Sequence, residues 1–206
     1  MYLDPLLRGH YPSDTLADLA EEGITLPVEP GDLAAIATPL DVLGVNYYFT
    51  ETVRADGAAV RTGPTTALGW PITPAGLTDL LVRLHREYPP IPIVITENGG
   101  AFPDEKPADT ITTPTSTARG TAADATIDDA DRIAFLREHI DAVAQARYQG
   151  CDVRGYFVWT LFDNFEWAHG YGPTFGLVSV DRTVQRRTLK RSAHWYRDMI
   201  MGHISI

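Results

Sequence analysis

Residues Ile91 to Gly100 read IPIVITENGG, and the fold turns on how this segment ends. An unbroken apolar run stops at Thr96-Glu97-Asn98-Gly99. Asn-Gly is the strongest short-range signal for a hairpin. On that reading Glu97 is an exposed acid beside a bend. On the other, a strand buried on both faces stops here and presents Glu97 to a site. A hairpin needs a returning strand, but the residues that follow are GAFPDEKPADT, with no strand pattern. A continuously apolar run is what a parallel strand, covered on both faces, shows.

The flanking segments favour the parallel reading. TPAGLTDLLVRLHREYPP (73–90) has Pro74 at a first helical position after Thr73 as N-cap. Leu77, Leu80, Leu81 and Leu84 recur at helical spacing, and Pro89-Pro90 ends the helix. DDADRIAFLREHIDAVAQARYQG (128–150) is a second helix, with early aspartates that suit the positive end of the dipole. Its expected core face is Ile133, Leu136, Ile140, Val143 and Ala144. LDVLGVNYYFT (40–50) and VRGYFVWTLFDNF (153–165) are apolar strand candidates. RTLKRSAHWYRDMI (187–200) reads as a closing helix. Nearer the start, Ser13-Asp14 would cap a short helix closed by Gly23, and PGDLAAIATP (30–39) would form another. Residues 51–71 are polar and irregular. Residues 103–126, rich in Thr, Ala, Pro and Asp, read as an exposed mobile loop. Strand and helix alternate three times, which predicts an α/β fold with parallel strands and crossover helices. Ligands in such folds sit beyond the carboxyl ends of the strands.

Composition narrows the functions available. The chain has 206 residues, 44% of them apolar, enough to bury a core. A net charge of -10 argues against nucleic acid or an anionic membrane as partner. No apolar run approaches the ~18 residues of a membrane span. The charged, proline-containing start has no signal-peptide core, so a cytoplasmic location is expected. Cys151 is the single cysteine and reads as a small structural residue. The six histidines show no ligand spacing, so no metal or other cofactor is expected.

Three strand ends carry polar and aromatic residues in the same relative place. They are Asn46-Tyr47-Tyr48, Thr96-Glu97-Asn98, and Trp159 followed by Asp163-Asn164, with Glu166, Trp167, Tyr171 and Phe175 beyond. Aromatic faces beside carboxylates suit sugars: rings stack on the C–H face of a pyranose, and carboxylates accept its hydroxyl hydrogens. A phosphate site would want glycine-rich turns with Lys or Arg. Taken singly, each residue has a plainer reading: Glu97 as a solvated strand-end acid, Phe157 and Trp159 as core, Glu166 as a loop acid.

Together the blocks DPLLRGHYP, DVLGVNYY, LGWPITPAGL, IPIVITENGG, DRIAFLREHI, VRGYFVWTLFDNFEWAHGY and FGLVSVD resemble the C-terminal part of glycoside hydrolase family 1, the β-glucosidase family. They keep the family's order from about Leu3 to Tyr196. The resemblance implies a partial (β/α)8 TIM barrel, about strands six to eight with their helices, spanning residues 1–206 as one portion of a single domain. It implies Glu97 as catalytic nucleophile, with the Tyr48 hydroxyl near it. Asn46 matches a residue around the reacting sugar, Trp159 the platform under it, and Glu166 and Trp167 the residues binding its outer hydroxyls. Trp70 and Phe175 match aromatic wall positions. Because Glu166-Trp167 stands where members acting on 6-phosphorylated sugars carry Ser and Lys, an unphosphorylated sugar is implied, in a β-glucoside or related oligosaccharide, with glucose, galactose and fucose all open. One departure is Gly172-Pro173-Thr174, where the family has a serine and two basic residues.

Retaining hydrolysis needs two carboxyl groups ~5–5.5 Å apart. The family carries the second in an Asn-Glu-Pro motif that this sequence lacks, along with the Gln and His sugar ligands of the first strands. Val28-Glu29-Pro30 is the nearest string, and Glu29 is not offered for the role. A full barrel needs ~250 residues. A three-strand arc would expose two edges and an apolar inner face. The expectation is therefore a C-terminal fragment, inactive alone: a truncated reading frame, a partial chain, or the second half of a split gene that an N-terminal half-barrel chain would complete. A different class of reading is a non-catalytic sugar-binding module made from a decayed barrel half.

Overall fold

The computed structural model describes residues 1–104 and 127–203, so all but the first two residues of the expected 103–126 loop lie outside the described residues. Helices α1 (Leu3–Arg8), α2 (Ser13–Glu21) and α3 (Asp32–Ile36) come first. Strand β1 (Leu43–Asn46) precedes the short pair β2 (Thr52–Val53) and β3 (Ala59–Val60). Helix α4 (Pro74–Glu87), strand β4 (Ile93–Asn98), helix α5 (Ala130–Tyr148) and strand β5 (Val153–Val158) follow. A hairpin of β6 (Val178–Asp181) and β7 (Arg186–Leu189) leads into α6 (Arg191–Ile200).

Strands β1, β4 and β5 form one parallel sheet in that order. The predicted alternation is what builds it. One face is packed by α4 and α5: Leu43, Val45, Ile93, Ile95 and Val153 meet Leu77, Leu81, Ala142 and Val143. A second cluster, of Phe102, Phe135, Leu136, Leu177 and Trp195, joins α5 to α6 beyond the strand ends. Among the described residues the sheet stays open at both edges and closes no barrel. The open face is less apolar than expected. Gly44 lies against Thr96, Thr96 bonds Asn46, and Gly155 lies against Val94 and Phe157. Phe157, 60% exposed, is the one large apolar ring among these residues.

Some local expectations need correction. Pro12, not Ser13, stands at the cap of α2, and no side chain caps that helix. The closing helix starts at Arg191, because Arg187-Thr188-Leu189 pair with β6 across a turn at Gln185 (φ 58°). Thr73 precedes α4 as expected, but its hydroxyl accepts the Thr50 N–H (2.8 Å) rather than capping the helix. On α5, Ala144 is exposed, and Arg132, Phe135 and His139 take buried places. They do so because the helix has a second partner, the Phe102–Trp195 cluster, besides the sheet.

Asn98 laces the three strand ends together. It is the last residue of β4 and fully buried. Its Nδ2 donates to the Tyr47 carbonyl (2.7 Å), and its Oδ1 accepts the Tyr156 hydroxyl (2.5 Å). Burial, then the nearby Tyr196, raises the Tyr156 phenol well above its ordinary range, so it remains a donor. Backbone bonds repeat the pattern: Tyr47 N–H to the Glu97 carbonyl and Trp159 N–H to the Asn98 carbonyl, each 2.9 Å. Gly99 follows because a Cβ there would overlap the Trp159 carbonyl oxygen. The Asn-Gly pair therefore seals a strand end and makes no hairpin.

Two predictions follow from these contacts. Asn98→Ala leaves a buried hydroxyl and a carbonyl unpaired, at about 1–3 kcal/mol each. Urea titration should show roughly 2–5 kcal/mol lost, and a loss below about 1 would contradict the lacing. His139 is buried against Phe135, donating from Nδ1 to its carbonyl (2.8 Å), and burial lowers its pKa to about 4. The unfolded chain takes up this proton near pH 6.5, so stability is lost as pH falls from there towards 4. Between pH 7 and 5 the native chain should lose roughly 2 kcal/mol more than His139→Phe. Equal losses in the two proteins would contradict this.

Candidate active site

The carboxyl ends of β1, β4 and β5 converge, and the register places Asn46 opposite Glu97 and Asn98 opposite Val158. Glu97 is half-buried where β4 ends. Tyr48, two residues past β1, donates its hydroxyl to Glu97 Oε2 at 2.7 Å. Its pKa rises far above the ordinary phenol value. Burial is the first cause, then the hydrogen bond and charge of Glu97, then the charge of Glu166. Tyr48 therefore stays protonated and grips one oxygen of the carboxylate.

The other candidates surround this pair. Asn46 accepts the Thr96 hydroxyl through Oδ1 (2.6 Å), which orients its amide on the open face of the sheet. Trp70 stands edge-on to Tyr48, with ring centroids 5.5 Å apart. Phe175 meets Tyr48 at 6.5 Å and Trp70 at 5.8 Å, and is 2% exposed. It backs Tyr48 and presents no open wall. Trp159, half-buried, starts the loop after β5 with its backbone against Gly99. Glu166 is half-buried in a tight turn closed by its own N–H to the Gly170 carbonyl (2.6 Å). Trp167, in that turn at φ 44°, is 80% exposed.

The departure at Gly172-Pro173-Thr174 has its own anchor. Thr174 donates its hydroxyl to the Phe102 carbonyl (2.6 Å), and its carbonyl accepts Arg132 (2.6 Å). Glu29 lies far from this cluster in the connectivity. Its loop feeds α3, whose following Ala37 approaches Gly9, and Arg8 beside it bonds the Glu87 carbonyl at the end of α4. The Arg8 contact joins α1 to the end of α4, just ahead of β4.

Sequence reasoning did not find the Asn98 lacing or the Thr96–Asn46 bond. Asn98 was hidden by the turn signal of Asn-Gly. Among the described residues no group of three or more His, Cys, Asp or Glu side chains is arranged to hold a metal ion, and no helix is long and apolar enough to cross a membrane.

Comparison with known proteins places this arrangement. Residues 1–204 match the glycosyl hydrolase family 1 profile. A bifunctional β-D-glucosidase/β-D-fucosidase of Bifidobacterium breve is 41% identical over 98% of this chain and 46% of its own length. Thermostable β-glucosidase B of Thermobispora bispora is 40% identical over 97% of the chain and 41% of its own. The solved family 1 β-glucosidase of Thermotoga maritima superposes with a TM-score of 0.83 at 34% identity, over 100% of this chain and 44% of that one. The chain thus spans less than half the length of the relatives it matches. The profile match over residues 1–204, with relatives 41% and 40% identical over nearly the whole chain, shows that the chain belongs to glycosyl hydrolase family 1.

Proposed function

We propose that this chain supplies the nucleophile side of a retaining β-glucosidase site. The observation that carries the reading is Glu97, at the carboxyl end of a parallel strand and held at one oxygen by Tyr48. The other carboxylate oxygen attacks the anomeric carbon of a β-glucoside. The bond to the leaving oxygen breaks as a second carboxyl group protonates it, giving a covalent glycosyl-enzyme. Water activated by that same group then releases the sugar. Tyr48 holds the carboxylate in the attacking orientation. Trp159 stacks under the sugar ring, Glu166 and Trp167 take its outer hydroxyls, and Asn46 binds beside the reacting centre. Trp70 and Phe175 support Tyr48 from behind. A sugar phosphate would meet the Glu166 carboxylate, so the unphosphorylated glycoside fits better.

The second carboxyl group is the missing part. No Asn-Glu-Pro occurs in the 206 residues, and the described bonds of Glu29 run to Asp32 rather than to Glu97 or Tyr48. The site is completed by a half-barrel segment that pairs with the free edges of β1 and β5. A non-catalytic sugar-binding module is the second reading, favoured by the 80% exposure of Trp167.

Hydrolysis of p-nitrophenyl β-D-glucoside tests the proposal. The chain alone should fall at least about 10²–10⁴-fold below an intact relative, the worth of the missing acid/base group. Co-folding with the N-terminal half of the Bifidobacterium breve relative should restore turnover, and Glu97→Gln in that pair should abolish it. Turnover that survives Glu97→Gln would sink the assignment. A binding module would instead quench tryptophan fluorescence with a glucoside, with no turnover in either form.

A further inference from the structure

Five charged side chains lie buried beneath the loops that carry Phe175 and Glu166. Lys190, one of two lysines in the chain and wholly buried, sits 3.0 Å from Asp163 Oδ1 and 2.9 Å from Asp104 Oδ1. Arg132 pairs with Asp129 at 2.5 Å and stands 3.6 Å from Asp104. Asp129 in turn accepts the Ser192 N–H (2.8 Å) and hydroxyl (2.5 Å).

Two arms of this network reach the backbone on either side of Phe175. On one side Arg132 donates to the Thr174 carbonyl at 2.6 Å. On the other, Asp163 Oδ1 accepts the Gly176 N–H at 2.8 Å, with Gly176 so close that a Cβ would overlap the Asp163 backbone. The ring held between them meets Tyr48 edge-on, and Tyr48 bonds Glu97.

Buried ion pairs contribute little net stability, because lost hydration offsets their attraction. Their value here is geometric. We infer that Asp163 and Lys190, with Arg132 opposite, are positioning residues: they fix the backbone around Phe175, whose ring sets the Tyr48 hydroxyl on Glu97. The consequence for catalysis rests on the nucleophile proposed above, and the positioning itself does not.

The test uses the whole chain labelled with carbon-13 tyrosine, with ring signals assigned by Tyr48→Phe, Tyr156→Phe and Tyr196→Phe. It needs no sugar, so its failure is distinct from failure of the glycosidase reading. In Asp163→Ala the Tyr48 signal should shift out of the ring currents of Phe175 and Trp70, with Tyr156 and Tyr196 unmoved. Asp163→Asn, which keeps an acceptor for Gly176 and leaves Lys190 paired with Asp104, should restore the native position. A network serving only the fold would move Tyr196, which lies on α6, the helix that begins just after Lys190. An unmoved Tyr48, or a shift in all three tyrosines, overturns the proposal. If Asp163→Ala does not fold, Arg132→Lys takes its place: it keeps a positive charge beside Asp129 but gives up the arm to the Thr174 carbonyl, and an unmoved Tyr48 there is equally contradictory.

Discussion

The two hydrogen bonds of the Asn98 side chain are what the rest of the site depends on. Parallel strands joined by long crossovers have no tight turns to fix their ends relative to one another. Here one buried amide does that work, reaching Tyr47 past β1 and Tyr156 in β5. Its partners are shut away from water, so leaving either unpaired is expensive and the geometry is sharply defined. Glu97 sits one residue before this tie and Gly99 one after. The carboxylate is therefore displayed from the most constrained point of the sheet.

Around that point the molecule divides by chemistry. Apolar packing on α4 and α5 secures the outer face, while the loops beyond the strand ends rest on buried charges. The open face carries glycine, threonine and asparagine together with Val94 and the exposed ring of Phe157. Among the described residues the edges of β1 and β5 are unpaired, whereas purely parallel sheets are normally covered on both faces.

The sheet was largely legible in the sequence. Continuous apolar runs and helices of clear period named the strands and their crossovers, and the positions of Tyr48 and Glu97 emerged from the ends of those runs. What stayed hidden was set by tertiary contact. Strict alternation along β4 puts Glu97 on the helix side with Ile93 and Ile95, and Asn98 with Thr96 on the open face. The register shift between Ile95 and Asn98 reverses this, burying Asn98 and turning Glu97 towards Tyr48. The resemblance made Phe175 a wall residue, but its ring is 2% exposed, between Thr174, whose carbonyl accepts Arg132, and Gly176, whose N–H donates to Asp163. The β6–β7 hairpin has no Asn-Gly signal, and the helix-like spacing of RTLKRSAHWY concealed its second strand.

The proposal turns on one carboxylate, that of Glu97, with one oxygen held by Tyr48 and the other proposed to attack. A 2-deoxy-2-fluoro-β-D-glucoside with a good leaving group tests that claim most directly, because it stalls a retaining enzyme as its glycosyl ester. In the chain co-folded with the N-terminal half of a full-length relative, peptide mapping by mass spectrometry should place the fluoroglucosyl group on Glu97 within IPIVITENGG. Labelling of Glu166, or of any other carboxylate, would contradict the account.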